Sequence, residues 1–160
     1  MEDFYRIIND QSKDIYTKVD ERVDDFWKWS KTVKQTYEWE TNYPDWSLLI
    51  TLVFTLIETT NYTEWDQKTI NNLLYIIARD NECETIIEKL TERTNNYLYL
   101  AEEALKYSDN DTRWQFAHYL IKIEDRETDV RELLYKFAND YVEYVRSRAI
   151  EAIKLFEGNS

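Results

Sequence analysis

The spacing of apolar positions predicts helices along the whole chain. In residues 3–40, apolar side chains recur at intervals of three, four or seven, with charged residues between them. This is the pattern of a helix that buries one face. The apolar positions are Phe4, Ile8, Ile15, Val19, Val23, Phe26, Val33 and Tyr37. Ser12 can cap a break, so the segment is either one long helix or two.

A second helix follows a polar stop at residues 41–43. Pro44 is well placed as its first residue, because the fixed backbone angle of proline suits the first helical turn. The apolar run 48–57 continues this helix to about Thr59. The run is ten residues long, which is too short to span a bilayer and predicts a buried helix.

The rest of the chain divides at polar turns into three helix pairs. The predicted pairs are 64–80 with 82–93, 95–107 with 112–124, and 129–139 with 142–156. Thr63 and Thr128 suit the caps of two first helices, and Gly158 suits the stop after the last one. The first helices begin at 64, 95 and 129, which are 31 and 34 residues apart. A nearly regular spacing of this kind indicates an internal repeat.

Composition favours an all-α fold. The chain has 160 residues, with one glycine and one proline. Strands joined by tight turns need both residue types, so their scarcity argues for helices. The length suits one compact domain, and no linker interrupts the pattern, so we expect residues 1–160 to form a single domain.

One stretch carries a family resemblance. Asp140 opens a turn, Arg146 follows six residues later, and Ala149, Ala152 and Ile153 come after it. This order resembles the second half of a HEAT-type helical repeat. Small residues at the two alanine positions would let neighbouring helices approach closely. Such repeats stack into curved surfaces that bind other macromolecules.

A weaker copy of the motif lies 32 residues earlier, where Ala117 and Ile121 match Ala149 and Ile153, and Asp109 and Arg113 come before them. The resemblance implies a short right-handed α-α superhelix of about three HEAT-like pairs in residues 63–158. Residues 1–62, which are rich in tryptophan, would form an N-terminal helical cap.

The resemblance also implies contacts between repeats and a concave wall. Its Asp–Arg ladder would use Asp140 with Arg146 and Asp109 with Arg113, as structural pairs. The second helices of the pairs would line the concave wall. Their outward residues would be Glu84, Glu88, Glu92, Gln115, His118, Lys122, Ser147, Arg148, Glu151 and Lys154.

The charge of the chain bears on its partners. The formal net charge is −12 and the sequence pI is about 4.6. A polyanionic surface repels nucleic acid and anionic lipid, and it attracts and steers a basic protein. We therefore expect a basic protein partner, without nucleic acid or membrane, and either a monomer or a dimer.

Catalytic and metal-binding motifs are sparse. The chain has one cysteine, Cys83, and one histidine, His118. Zinc sites need several such residues at short spacing, and phosphate loops need glycines. We expect no enzyme activity and no cofactor. A single cysteine, together with an N-terminus that lacks a basic start and an apolar signal core, suits a cytoplasmic protein.

Acidic and aromatic residues concentrate in one segment, because no basic residue lies between Lys34 and Lys68. The rings either form a structural cap or, beside the carboxylates, bind a basic partner. Under the second interpretation, Trp39, Trp46 or Trp65 should be exposed. The candidate partner-binding residues are Glu38, Trp39, Glu40, Asp45, Trp46, Glu64, Trp65, Asp66, Glu84, Glu88, Trp114 and His118.

Three functions are compatible with these features. The first is a non-catalytic acidic protein of the immunity or antitoxin type, which neutralises a basic partner such as a nuclease toxin. The second is a scaffold or adaptor that binds a peptide or helix. The third is an enzyme like the HEAT-like DNA glycosylases, for which Trp114 and Arg148 would be the matching wall residues. The net charge argues against the third.

Overall fold

A computed structural model describes residues 2–158 of the chain. Within that range the protein consists of α-helices joined by turns and short 3-10 segments, without β-strands. The all-α prediction is therefore confirmed. The nine α-helices of the range are α1 (Glu2–Ile8), α2 (Ile15–Ser30), α3 (Trp46–Thr59), α4 (Gln67–Arg79), α5 (Thr85–Leu90), α6 (Thr94–Ala104), α7 (Asn110–Tyr119), α8 (Glu127–Phe137) and α9 (Glu143–Gly158). The 3-10 segments are Trp39–Asn42, Tyr62–Glu64 and Leu120–Lys122.

The N-terminal segment contains two helices instead of one. The break between α1 and α2 is held by Ser12, whose backbone N–H and hydroxyl both donate to Asp10 Oδ1, at 2.9 and 2.6 Å. Asp14, and not Ser12, caps α2, because its carboxylate accepts the backbone N–H of Thr17 at 2.8 Å. The helix ends at Ser30, so the predicted helical pattern does not continue to residue 40.

Two predicted helix starts in the middle of the chain are wrong. Pro44 precedes α3, which begins at Trp46. Thr63 lies inside a 3-10 segment, and the extended backbone of Trp65 separates that segment from the next helix. Asp66 caps α4 instead, because its carboxylate accepts a backbone N–H of the first turn at 2.8 Å.

The ends of the C-terminal helices also differ from the prediction. Thr128 lies in the first turn of α8, which begins at Glu127, so it is not the cap. Gly158 is the last residue of α9 instead of a stop beyond its end. Helix α5 has only six residues, and it starts at Thr85 and not at residue 82 because the backbone of Glu84 before it is left-handed, with a φ of 57°. Local sequence patterns determine such ends poorly.

The helices contact one another in two rows. In one row α2 contacts α4, α4 contacts α6, and α6 contacts α8; in the other, α3 contacts α5, α5 contacts α7, and α7 contacts α9. The two rows meet where α2 packs on α3, where α4 and α6 both pack on α7, and where α8 packs on α9. One hydrophobic core extends from Val19 to Ala152. Ala149 and Ala152 are buried on α9, as expected for small residues at close helix contacts.

A cluster of aromatic rings surrounds Phe26 of α2. This side chain is fully buried, and its ring centroid lies 5.7 Å from Trp39, 5.6 Å from Trp46 and 6.1 Å from Tyr75. Trp29 stacks on Trp39 at 5.9 Å. These rings come from α2, from the segment after it, from α3 and from α4. The tryptophan-rich region is therefore part of the core between helices, where aromatic pairs contribute beyond their buried area.

A buried ion pair joins α7 to the turn before α9. Arg113 Nε donates to Asp140 Oδ2 at 2.7 Å, and the two side chains are 1% and 6% exposed. Asp140 Oδ1 also accepts the backbone N–H of Val142 at 2.9 Å, so the carboxylate faces both groups. In the preceding turn, Arg79 pairs with Asp109 at 2.9 Å.

The ladder implied by the family resemblance is therefore wrong in its side-chain pairs. Arg146 donates to the backbone carbonyl of Asp140 at 2.8 Å instead of to its carboxylate. Arg113 pairs with Asp140 instead of Asp109. The carboxylate of Asp140 is turned towards α7. Arg146 therefore donates its hydrogen bond to the main-chain oxygen of Asp140.

Replacing Asp140 with Asn should lower the free energy of unfolding by about 3–5 kcal/mol, because Arg113 would remain buried without its counter-charge. Asn keeps an oxygen for the N–H of Val142, so the change preserves that turn contact and removes the charge together with the hydrogen bond that Arg113 Nε donates. Asp129→Asn is the control, since its pair with Arg126 is exposed and should contribute less than about 1 kcal/mol. Urea unfolding of both variants measures the difference, and equal losses would contradict the prediction.

Candidate functional site

A cleft lies between α2 and α4. It consists of two adjoining cavities of about 450 and 400 Å³, which share Asp20 and Asn72. We call it the α2–α4 cleft. Its lining residues are Asp14, Tyr16, Thr17, Asp20, Val23, Asp24, Trp27, Glu64, Asp66, Lys68, Thr69, Asn71, Asn72, Tyr75 and Tyr107.

One face of α2 forms a wall of the cleft. Most of the lining residues of α2 and its cap are three or four positions apart, which puts them on one face of the helix. In chain order they are Asp14, Tyr16, Thr17, Asp20, Val23, Asp24 and Trp27. Phe26, next to the last of them, points into the core. The burial of one face of α2 therefore determines which face lines the cleft.

Five carboxylates line the cleft, and Lys68 is the only base among its described lining residues. Lys68 Nζ lies 2.9 Å from Asp20 Oδ2, so its charge is already paired. The carboxylates belong to Asp14, Asp20, Asp24, Glu64 and Asp66. The cleft therefore has a net negative charge.

Hydrogen bonds keep several of these acids ionised. Backbone N–H groups at the first turns of α2 and α4 lower the pKa of Asp14 and of Asp66. Burial alone would raise the pKa of Asp20, but hydrogen bonds from Lys68 and Asn72 leave it below its ordinary value. The three carboxylates are thus fully charged at neutral pH.

The other end of the cleft is aromatic. Trp27 is 47% exposed, and Tyr75 and Tyr107 are partly buried beside it. Burial raises the pKa of both tyrosines, so they are neutral phenols at physiological pH. Lys31 Nζ lies 4.8 Å from the centroid of the Trp27 ring, at cation–π distance. This ring therefore already accepts a cation from its own chain.

Two of the predicted partner-binding residues lie in the cleft, and their neighbour does not. Glu64 and Asp66 line it, on the segment that leads into α4. Trp65 between them is buried, and its indole N–H donates to Thr60 Oγ1 at 2.8 Å. The prediction that Trp65 is exposed is wrong, because the extended backbone turns alternate side chains in opposite directions.

The predicted residues near the first 3-10 segment differ in their exposure. Trp39 and Glu40 are buried, at 8% and 5% exposure, so little of either side chain is accessible to a partner in this structure. Trp46 is half-buried against Phe26 and is not the exposed ring that was predicted. Glu38 is exposed. Asp45 is bonded to Arg22 at 2.7 Å.

The remaining predicted residues lie in the other helix row. Glu84 and Glu88 approach Tyr119, and burial together with these acids raises the pKa of Tyr119 to about 12. Glu88 also pairs with Lys122 at 3.2 Å. Burial, with the nearby charge of Arg148, lowers the pKa of His118, so its ring is neutral at physiological pH.

Trp114 is the fourth of these residues, and it is buried. Its indole N–H donates to Asp111 Oδ1 at 3.0 Å, and the guanidinium of Arg148 lies 5.4 Å from its ring centroid. Gln115, expected to face outward on the same helix, is fully buried and donates to the carbonyl of Ile77 at 2.8 Å. The outward prediction for Gln115 is wrong, because most of α7, including Trp114, is enclosed between α4, α6 and α9.

Sequence reasoning missed the α2 wall of the cleft. Asp14, Asp20, Asp24 and Trp27 line the cleft but are absent from the predicted partner-binding residues. Their recurrence every three to six residues on one face was a detectable signal. What the sequence did not show was that α4 lies beside this face.

Within the described range, no group of three or more His, Cys, Asp and Glu side chains is placed to hold a metal ion. None of the helices in that range has both the length and the apolar character needed to cross a membrane. No family model, curated protein sequence or solved structure matches the chain.

Replacing Glu40 with Gln should stabilise the protein at pH 7. Burial raises the pKa of Glu40 above its ordinary value. The charged carboxylate is therefore disfavoured in the folded chain once the pH exceeds the pKa of the unfolded chain. The gain should shrink as the pH falls to about 4, where the carboxyl is largely protonated in both states.

Thermal unfolding of both proteins across this pH range measures the effect. Exposed Glu38, two residues earlier, provides the control substitution to Gln, which should change stability little at either pH. A loss of stability at pH 7 for the Glu40 variant would mean that attraction to Arg79 outweighs burial.

Proposed function

We propose that this chain is a non-catalytic, acidic protein-binding module that holds a basic protein partner in the α2–α4 cleft. In its most specific form it is a neutraliser of the immunity or antitoxin type, which covers the active face of a cationic toxin such as a nuclease. The observation that carries the proposal is the cleft itself, with five carboxylates and one lysine that is already paired.

Negative charge favours a basic partner both during its approach and in direct contact at the cleft. The net charge of −12 attracts a cationic protein and raises the rate of encounter. Within the cleft, the ionised Asp14, Asp20 and Asp66 offer oxygens to lysine or arginine side chains. A nuclease binds a polyanion through a basic surface, and a cleft with a row of fixed carboxylates resembles that polyanion in charge.

The state of the cleft carboxylates supports binding over chemistry. A general acid must hold a proton near the working pH, and enzymes achieve this by raising the pKa of a carboxyl group. In the cleft, hydrogen bonding lowers the pKa of Asp14, Asp20 and Asp66 instead. Fixed, fully charged carboxylates suit a complementary surface. Cys83 as the one cysteine of the sequence suits a cytoplasmic location for the complex.

The glycosylase alternative draws less support from the site. Such an enzyme needs an accessible aromatic ring that can contact an unpaired nucleobase of the DNA. The ring of Trp114 is instead buried beneath Arg148. The scaffold or adaptor alternative remains a proposal of the same class, because it also uses a groove between helices. It differs in expecting an apolar ligand and a weak dependence on salt.

Reversing two cleft charges, with Asp24→Lys and Glu64→Lys, should abolish retention of the basic partner. Both side chains are exposed at the cleft, so the fold should tolerate the change. The matched control is Glu102→Lys with Glu132→Lys in the separate cavity between α6 and α8. Both double variants change the net charge equally, so a difference between them reports local binding and not general attraction.

The experiment captures proteins from the source lysate on each variant and identifies them by mass spectrometry. The expected result is one basic protein, held by the native chain and by the α6–α8 control, and lost from the cleft variant. Its association rate should fall steeply between about 20 and 200 mM salt. Equal retention by both double variants would reject the cleft as the site. Retention of apolar peptides without salt dependence would favour the adaptor.

A further inference from the structure

The length of the α2–α4 cleft limits what can occupy it. Its α2 wall runs from Asp14 to Trp27, which are 13 positions apart in the sequence. At about 1.5 Å per residue, this wall is roughly 20 Å long. A helix of about 13 residues spans the same distance, so one helical segment of a partner could lie along the whole cleft.

The acids of this wall have a spacing that a helix can match. Along α2, Asp20 follows Asp14 by six residues and Asp24 follows Asp20 by four. These separations are roughly 9 and 6 Å along the helix axis. Lysine or arginine residues seven and four apart on one face of a partner helix lie roughly 10 and 6 Å apart, which is close to both separations. Each cation would then meet one of these carboxylates.

The aromatic end of the cleft offers a second kind of contact. Val23, Trp27, Tyr75 and Tyr107 present apolar and aromatic surface beside Asp20 and Asp24. An amphipathic helix has an apolar stripe next to its charged face, so both parts would find complementary surface.

An internal contact shows which side chain fits this end. Lys31 extends from the end of α2, and its ammonium group lies 4.8 Å from the ring centroid of Trp27. The neighbouring Asp24 pairs with Lys28 at 2.8 Å. The chain thus places two of its own lysines at positions that a cation from a partner would take. A partner residue binding there would displace or share these exposed contacts.

Backbone pairing does not offer a competing mode of recognition. A peptide that binds as an added strand needs the edge of a sheet, and residues 2–158 form no strand. Grooves between helices are instead filled by helices, through side chains at intervals of three and four.

We propose that the α2–α4 cleft binds a cationic amphipathic helix of its partner, about 13 residues long. Lysine or arginine side chains of that helix contact Asp14, Asp20 and Asp24, and one of them lies over the ring of Trp27. This inference rests on the proposed function, since it names the segment of the basic partner that the cleft accepts.

A synthetic peptide tests the inference without the natural partner. The probe has about 14 residues, with lysines and arginines at helical spacing on one face and leucines and alanines on the other. A second peptide of the same charge and length carries two central prolines, which prevent a helix. Calorimetric titration at low salt measures the affinity of each. We expect the helical peptide to bind at least about tenfold more tightly, because the proline peptide can offer only charge.

Variants of the protein locate the contact. Trp27→Ala should weaken binding of the helical peptide by about tenfold, because the cation–π and apolar contacts are lost. Trp27→Phe, which keeps a ring, should recover part of the loss. Lys31→Ala should bind as well as the native chain or better, because it frees the ring. Trp27 is half exposed, so all three variants should fold, and their circular dichroism verifies this.

The outcomes separate this inference from the proposed function. Equal affinity for the helical and the proline peptide, or no effect of Trp27→Ala, would overturn the helix-binding inference. If, in that case, the cleft variant still failed to retain the basic lysate protein, the proposed function would be kept and only the helix-binding inference would be rejected. If neither peptide bound and no basic protein were retained, both proposals would fall.

Discussion

The arrangement of this protein around its cleft depends on the burial of Phe26. Its ring contacts Trp46 of α3 and Tyr75 of α4, so one side chain holds α2 against both helices. On the solvent side, Asn72 of α4 donates to Asp20 at 3.0 Å and Lys68 pairs with the same carboxylate. The apolar face of α2 thus sets the distance between the helices, and the polar face bridges them across the cleft.

The acidic residues of the chain have three different environments. In the cleft, acids are charged because backbone N–H groups and Lys68 stabilise the ionised form. At the turn before α9, the buried guanidinium of Arg113 neutralises the charge of Asp140. At Glu40, burial outweighs the attraction of nearby Arg79 and disfavours the charge. The cleft combines five carboxylates with a single lysine among its described lining residues, and for that reason we propose it as the site of partner binding.

Sequence patterns predicted the helices better than the site. The apolar spacing of Val19, Val23 and Phe26 identified a buried helical face, and all three are buried. Of the predicted partner-binding residues, Glu64 and Asp66 lie in the cleft, whereas Trp39 and Trp65 are in the core. Composition identified an acidic, aromatic segment, but it could not separate exposed carboxylates from buried rings, because both occur within a few residues of each other.

By itself the sequence determined the all-α class, since helical periodicity and the scarcity of glycine and proline are local properties of the chain. It also determined the negative charge that favours a basic partner. Only the tertiary structure decided which acids lie together. Asp20 and Lys68 are 48 positions apart, and their contact exists because the rings around Phe26 pack α2 against α4. Side-chain packing between distant segments is the reason, because no local pattern records which helices become neighbours.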